Sequence, residues 1–103
     1  MASGTVQHIE HINGTIGTGI QIKSYNSASN YYTCPSDGYL YLTSQNSASE
    51  QSLVYSKDTE QLLLVARSNG TLYGIATLYV RKGTKVYCNV SAQNGSCLFY
   101  PVT

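Results

Sequence analysis

The sequence predicts an all-β chain, an antiparallel sandwich or barrel of about eight short strands. Three observations carry this. Apolar residues recur with period two rather than 3.6. Turn signals come at spacings of about ten residues. One stretch, Tyr31-Tyr32-Thr33-Cys34-Pro35-Ser36-Asp37-Gly38-Tyr39-Leu40-Tyr41-Leu42, spells strand, tight turn and strand. Pro35 fixes φ, Ser36 and Asp37 bond their own backbone, and Gly38 supplies a positive φ. Beyond it, Leu40 and Leu42 share one face and Tyr39 and Tyr41 the other.

The elements follow in order. Residues 1–17 read as an irregular lead-in or stalk connection. Val6, Ile9, Ile12 and Ile16 are spaced for a short helix, but Gly4, Gly14 and Gly17 argue against a long one. Residues 18–103 form the head. Ile20 to Tyr25 alternates as a strand, and Asn26–Asn30 is a loop by composition. The strand pair around Pro35 comes next. Asn46-Ser47-Ala48-Ser49 repeats the earlier Asn-Ser-Ala-Ser loop. Gln51 to Lys57 is a strand with Leu53 and Tyr55 in phase, and Asp58-Thr59-Glu60 turns. Gln61 to Arg67 is apolar on both faces, which predicts cover on both. Ser68-Asn69-Gly70-Thr71 is the strongest hairpin signal, because Asn-Gly suits a type I′ turn. Thr71 to Arg81 puts Leu72, Gly74, Ala76, Leu78 and Val80 on one face and Tyr73, Ile75, Thr77 and Tyr79 on the other. Arg81-Lys82-Gly83-Thr84 turns. Lys85 to Val90 turns Val86, Cys88 and Val90 inward. Ser91 to Ser96 is a polar loop, and Cys97-Leu98-Phe99-Tyr100 is the last strand.

Composition narrows the function. One domain of 103 residues has a thin core. Charged residues make up 11%, and the formal net charge is +1. The six basic residues are scattered, and the group Arg81, Lys82 and Lys85 is too small for a phosphate track, so nucleic acid is not expected. No apolar run is long enough for a membrane helix. Met1-Ala2-Ser3-Gly4-Thr5 has neither the charged nor the apolar region of a signal peptide, and further chain is expected upstream.

No catalytic constellation stands out. Asp37 and Asp58 sit in turns. Asp58 and Glu60 share one turn with no apolar wall to raise a pKa, so a glycosidase pair is not expected. Three cysteines, Cys34, Cys88 and Cys97, are too sparse for a disulfide framework. Cys88 and Cys97 fit neighbouring strands of a hairpin, but the Asn94-Gly95 turn is off-centre between them, and small buried thiols are the simpler reading. No zinc site is expected. His8 and His11 fall on opposite faces of a strand, though on one face of a helix, and no metal or other cofactor is assigned to them. The four Asn-x-Ser/Thr sites at Asn13, Asn69, Asn89 and Asn94 read as accidents of polar composition.

Tyrosine is the informative excess: ten, against one phenylalanine and no tryptophan. Rigid amphipathic rings among small polar residues make binding surfaces at low entropic cost. The candidate ligand-binding residues are Tyr39, Tyr41, Tyr73 and Tyr79, with Asn26, Asn30 and Asn46 in the loops.

Three stretches together resemble a known architecture. Thr33 to Tyr41 resembles the strand-turn-strand of phage tail-fibre C-terminal head domains and, more faintly, of tumour-necrosis-factor-like and complement-type jelly-roll heads. Val80-Arg81-Lys82-Gly83-Thr84-Lys85-Val86 resembles their basic Lys-Gly-Asp turn, with Thr84 where Asp is usual. Cys97-Leu98-Phe99-Tyr100-Pro101-Val102 resembles their terminal Phe-Tyr-Pro strand. The resemblance covers roughly residues 31–103, in the expected order. It implies a jelly-roll sandwich that trimerises with Phe99 and Tyr100 packed on their copies near the threefold axis. It implies a non-enzymatic receptor-binding tip, on a virion or extracellular, that meets a host-surface glycan or protein. The alternative is a secreted recognition or signalling head of a cellular organism.

Overall fold

The computed structural model describes residues 15–44, 50–68, 74–90 and 95–103. Eight strands run through them: β1 (Ile20–Gln21), β2 (Tyr32–Thr33), β3 (Gly38–Ser44), β4 (Glu50–Ser56), β5 (Leu62–Ser68), β6 (Gly74–Val80), β7 (Lys85–Val90) and β8 (Ser96–Pro101). There is no helix among the described residues. The strands form two four-stranded antiparallel sheets, ordered β1-β8-β3-β6 and β2-β7-β4-β5. The chain is a β-sandwich.

Alternation decides what each strand buries. In β3, Gly38, Leu40, Leu42 and Ser44 are buried, while Tyr39, Tyr41 and Thr43 point out. In β8, Cys97 and Phe99 turn in. Val54, Ala66, Val86 and Cys88 meet them from the second sheet, and Ile22 and Cys34 fill the remaining gaps. Tyr25, Tyr32 and Phe99 form a ladder of rings, with centroids 5.3 and 5.7 Å apart, that carries the core out along one edge. At the other end the buried serines are partnered. Ser44 Oγ and Ser68 Oγ share a hydrogen bond of 3.2 Å, and Ser52 Oγ donates to the Thr43 carbonyl at 2.8 Å.

The stretch around Pro35 is a corner between sheets, not a hairpin: β2 pairs β7, and β3 pairs β6 and β8. Four hydrogen bonds of 2.8 Å fasten it. The Cys34 N–H donates to the Thr84 carbonyl, and the Gly83 N–H to the Cys34 carbonyl. The Val102 N–H donates to the Asp37 carbonyl. The Lys82 N–H donates to Asp37 Oδ1. Gly38 is extended as the first residue of β3 rather than the positive-φ position expected, a role that falls to Gly83 in the basic turn, and it is required by space. A Cβ there would collide with the Tyr100 carbonyl oxygen and stand 2.7 Å from the Phe99 ring. Thus the corner, the basic turn and the final strand, far apart in sequence, are one structural unit.

The Lys82 N–H above all, then the Tyr79 hydroxyl and the charges of Arg81 and Lys82, hold the Asp37 carboxyl below its usual range despite some desolvation. A depressed folded-state pKa stabilises the fold above the unfolded value and loses that effect as pH falls through the folded value. Asp37→Ala is therefore expected to melt earlier than the wild type at neutral pH. The gap between the two melting curves should close as the medium is taken below the ordinary carboxylate range. A gap that stays constant with pH would mean that the charge of Asp37 does not hold the corner.

Several sequence expectations are corrected. The strands on either side of Asn69-Gly70 do not pair: β5 lies in one sheet and β6 in the other. Ser68 pairs with Glu50, and Gly74 with Ser44. A turn that permits a hairpin does not impose one, because pairing is decided by how the side chains of each strand pack against their neighbours. Residues 69–73 themselves lie outside the described residues. β7 and β8, on either side of Asn94-Gly95, likewise lie in different sheets. Cys88 and Cys97 therefore belong to opposite sheets, and both are free thiols in the core. The strand expected over Ile20–Tyr25 ends at Gln21. There the chain turns, with the Tyr25 N–H on the Ile22 carbonyl, and crosses to β7, where the Cys88 N–H donates to the Tyr25 carbonyl. Finally, β5 is an edge strand, and Leu62 and Leu63 are exposed rather than covered.

Candidate functional site

The outer face of the β1-β8-β3-β6 sheet is built by alternation. β6 contributes Ile75, Thr77 and Tyr79; β3 contributes Tyr39, Tyr41 and Thr43; β8 contributes Ser96, Leu98 and Tyr100. None of these nine is charged. Register sets Tyr79, Tyr39 and Tyr100 in one row, and Thr77, Tyr41 and Leu98 in the next. Tyr39 meets Tyr79 edge-on with centroids 5.2 Å apart, and Tyr41 meets Tyr100 edge-on at 6.2 Å. Ile16, placed by its bridge to Val102, completes an open apolar groove of about 310 Å³ with Tyr39, Tyr41, Thr77 and Tyr100. Ile16 is 47% exposed, Ile75 58% and Tyr79 39%. Desolvation first, then the Asp37 hydrogen bond and charge, pushes the Tyr79 hydroxyl above the usual tyrosine range.

The sequence-predicted site residues thus divide. Tyr39, Tyr41 and Tyr79 come together, and Tyr100 joins them. Phe99, expected to face a copy of the chain, is wholly buried in its own subunit. It lies one residue out of phase with Tyr100, so its ring fills the sandwich and has no surface left for a partner. Asn26 and Asn30 are exposed in their loop. The Asn30 side chain is occupied locally, since Nδ2 donates to the Ser24 carbonyl at 3.1 Å. Asn46 and Tyr73 lie outside the described residues, as do His8 and His11.

The outer face of the β2-β7-β4-β5 sheet was not singled out from sequence, yet it holds a second aromatic cluster. Tyr55 and Tyr87 are register partners and stack, with centroids 5.2 Å apart and planes 19° from parallel. Tyr31 precedes the inward Tyr32 and so points out. Lys57 Nζ sits 5.0 Å from the Tyr31 ring centroid, and Lys85 Nζ sits 5.9 Å from it. Glu60 adopts φ 56°, a left-handed conformation uncommon outside glycine. Desolvation first, then the Glu60 charge and Tyr55, pushes the Tyr87 hydroxyl above its ordinary range. The signal was present in the alternation of Lys85-Val86-Tyr87-Cys88, which turns Tyr87 out wherever Val86 turns in.

Burial pushes the Cys34 thiol up to about 11. The Cys97 thiol is pushed up by its hydrogen bond with Cys88 and then by burial. Both are therefore poor nucleophiles. Asp58 is exposed beside Lys57 at 3.8 Å. Among the described residues, no group of three His, Cys, Asp or Glu is placed to hold a metal ion. No known family's sequence profile, no curated protein and no solved structure matches this chain.

Proposed function

We propose that this chain is a non-enzymatic trimeric head of jelly-roll type, at the tip of a phage or phage-like tail fibre, that binds a host-surface glycan or protein. The observation that carries the reading is the uncharged aromatic face of the β1-β8-β3-β6 sheet. A contiguous exposed apolar patch on a small domain marks an interaction surface. Tyrosine is enriched where such surfaces become interface cores, and charge is depleted there. In this reading Tyr39, Tyr41 and Tyr79 join Tyr100 in the contact between subunits. Ligand binding is then left to the loops and the opposite sheet.

Two further observations support it. Eight strands ordered 1-8-3-6 and 2-7-4-5 suit the doubled Greek-key winding of a jelly roll. And the three segments that resemble fibre heads meet at the Asp37 corner rather than scattering over the surface. Binding of the fluorescently labelled head to a panel of bacterial cell envelopes tests the function. Saturable binding to a subset of envelopes is expected. A correctly folded head that binds none of them overturns the receptor-binding role.

A further inference from the structure

We infer that the outer face of the β2-β7-β4-β5 sheet is a binding site for a carboxylate-bearing saccharide, a uronic or sialic acid residue, held by Lys85 over the Tyr31, Tyr87 and Tyr55 rings. The inference deepens the receptor-binding reading by naming the ligand's class and its place.

The Lys57 N–H donates to the Lys85 carbonyl at 2.9 Å, which fixes the two strands side by side. Both ammonium groups then gather on one ring, Tyr31. A ring face attracts a cation, but two like charges at one ring repel each other. Lys57 has Asp58 at 3.8 Å. The Glu60 charge acts on the Tyr87 hydroxyl. Among the described residues Lys85 has no carboxylate within ion-pair distance. One anionic oxygen pair placed beside Lys85 would satisfy it and relieve the repulsion.

The number of charges selects the anion. Asp58 lies beside Lys57 and the Glu60 charge reaches Tyr87, so a phosphate monoester with about −1.5 to −2 charges would meet more repulsion than a singly charged carboxylate. The rest of the platform suits the body of a sugar. Tyr55 and Tyr87 offer ring carbon to C–H groups, and Glu60 and the tyrosine hydroxyls can accept and donate to ring hydroxyls. Glu60 holds a left-handed backbone conformation, and such conformations concentrate at binding sites. The Asn26–Asn30 loop leads directly into Tyr31, which puts one of the loops favoured from sequence at the rim.

The test is an array that pairs each carboxylated glycan with its neutral counterpart and with a phosphorylated one. It is probed with the wild-type head, Lys85→Gln and Tyr31→Ala, each checked for an unchanged melting curve. Carboxylated members alone should bind. Lys85→Gln should weaken them about tenfold, the scale of one charge-assisted hydrogen bond, and added salt should act in the same direction. Equal binding to neutral glycans, preference for the phosphorylated ones, or indifference to Lys85→Gln would each overturn the inference. So would a silent array with a head that still binds envelopes, which leaves the receptor-binding role standing. A head that binds neither array nor envelopes sinks both.

Discussion

Phe99→Ala should abolish the stable fold. The ring is 0% exposed, and it stands between the Tyr32 ring and the backbone of Gly38. Truncating a buried phenylalanine costs about 3–5 kcal/mol, out of about 5–15 kcal/mol for a whole domain. A 103-residue sandwich with only eleven buried hydrophobic side chains among its described residues has little to spare. Urea unfolding followed by far-ultraviolet circular dichroism reads the loss. Phe99→Leu, which keeps most of the volume, should fold with a lowered midpoint. Near-wild-type stability in Phe99→Ala would mean that the ring does not sit in the core, and the register of β8 would then be wrong by one residue.

Gly38→Ala should be almost as damaging, from the opposite cause. The new methyl would be driven into the Tyr100 carbonyl oxygen and the Phe99 ring. Overpacking a rigid site costs about 1–3 kcal/mol. Here one obstacle is backbone, so the upper end is expected. The two sites touch and should therefore not be additive. Phe99→Leu in the Gly38→Ala background should recover part of the loss, because it removes the ring but not the carbonyl. Strictly additive effects in a double-mutant cycle would show that Gly38 and Phe99 are not in contact.

The period of the sequence reads well at the level of faces. The Tyr-Leu alternation of β3 and the split of β6 into Gly74, Ala76, Leu78 and Val80 against Ile75, Thr77 and Tyr79 appear as written. Pairing does not read as well. Asn69-Gly70 and Asn94-Gly95 are the strongest turn signals, yet the strands on either side of each go to different sheets. The plain Lys57-Asp58-Thr59-Glu60 segment joins the one pair of consecutive strands that are neighbours, β4 and β5. Turn chemistry is local, whereas partner choice depends on apolar area summed over both sheets. The candidate surfaces follow the same division. Tyr39, Tyr41 and Tyr79 are legible as outward residues. That Tyr100 joins them and Phe99 does not depends on which way β8 faces. The cluster of Tyr31, Tyr55 and Tyr87 depends on three strands meeting in register.

One quantity bears most directly on the proposal that this sandwich joins its copies through its aromatic face: the mass of the particle in solution. Light scattering on the wild-type chain should give close to three times the 11.2 kDa of one chain. Tyr41→Lys, which sets an ammonium group in the apolar groove, should reduce it to one chain without loss of β-structure. A wild-type protein that stays at 11.2 kDa across a rising concentration series, folded and soluble, contradicts the trimer and the role given to that face.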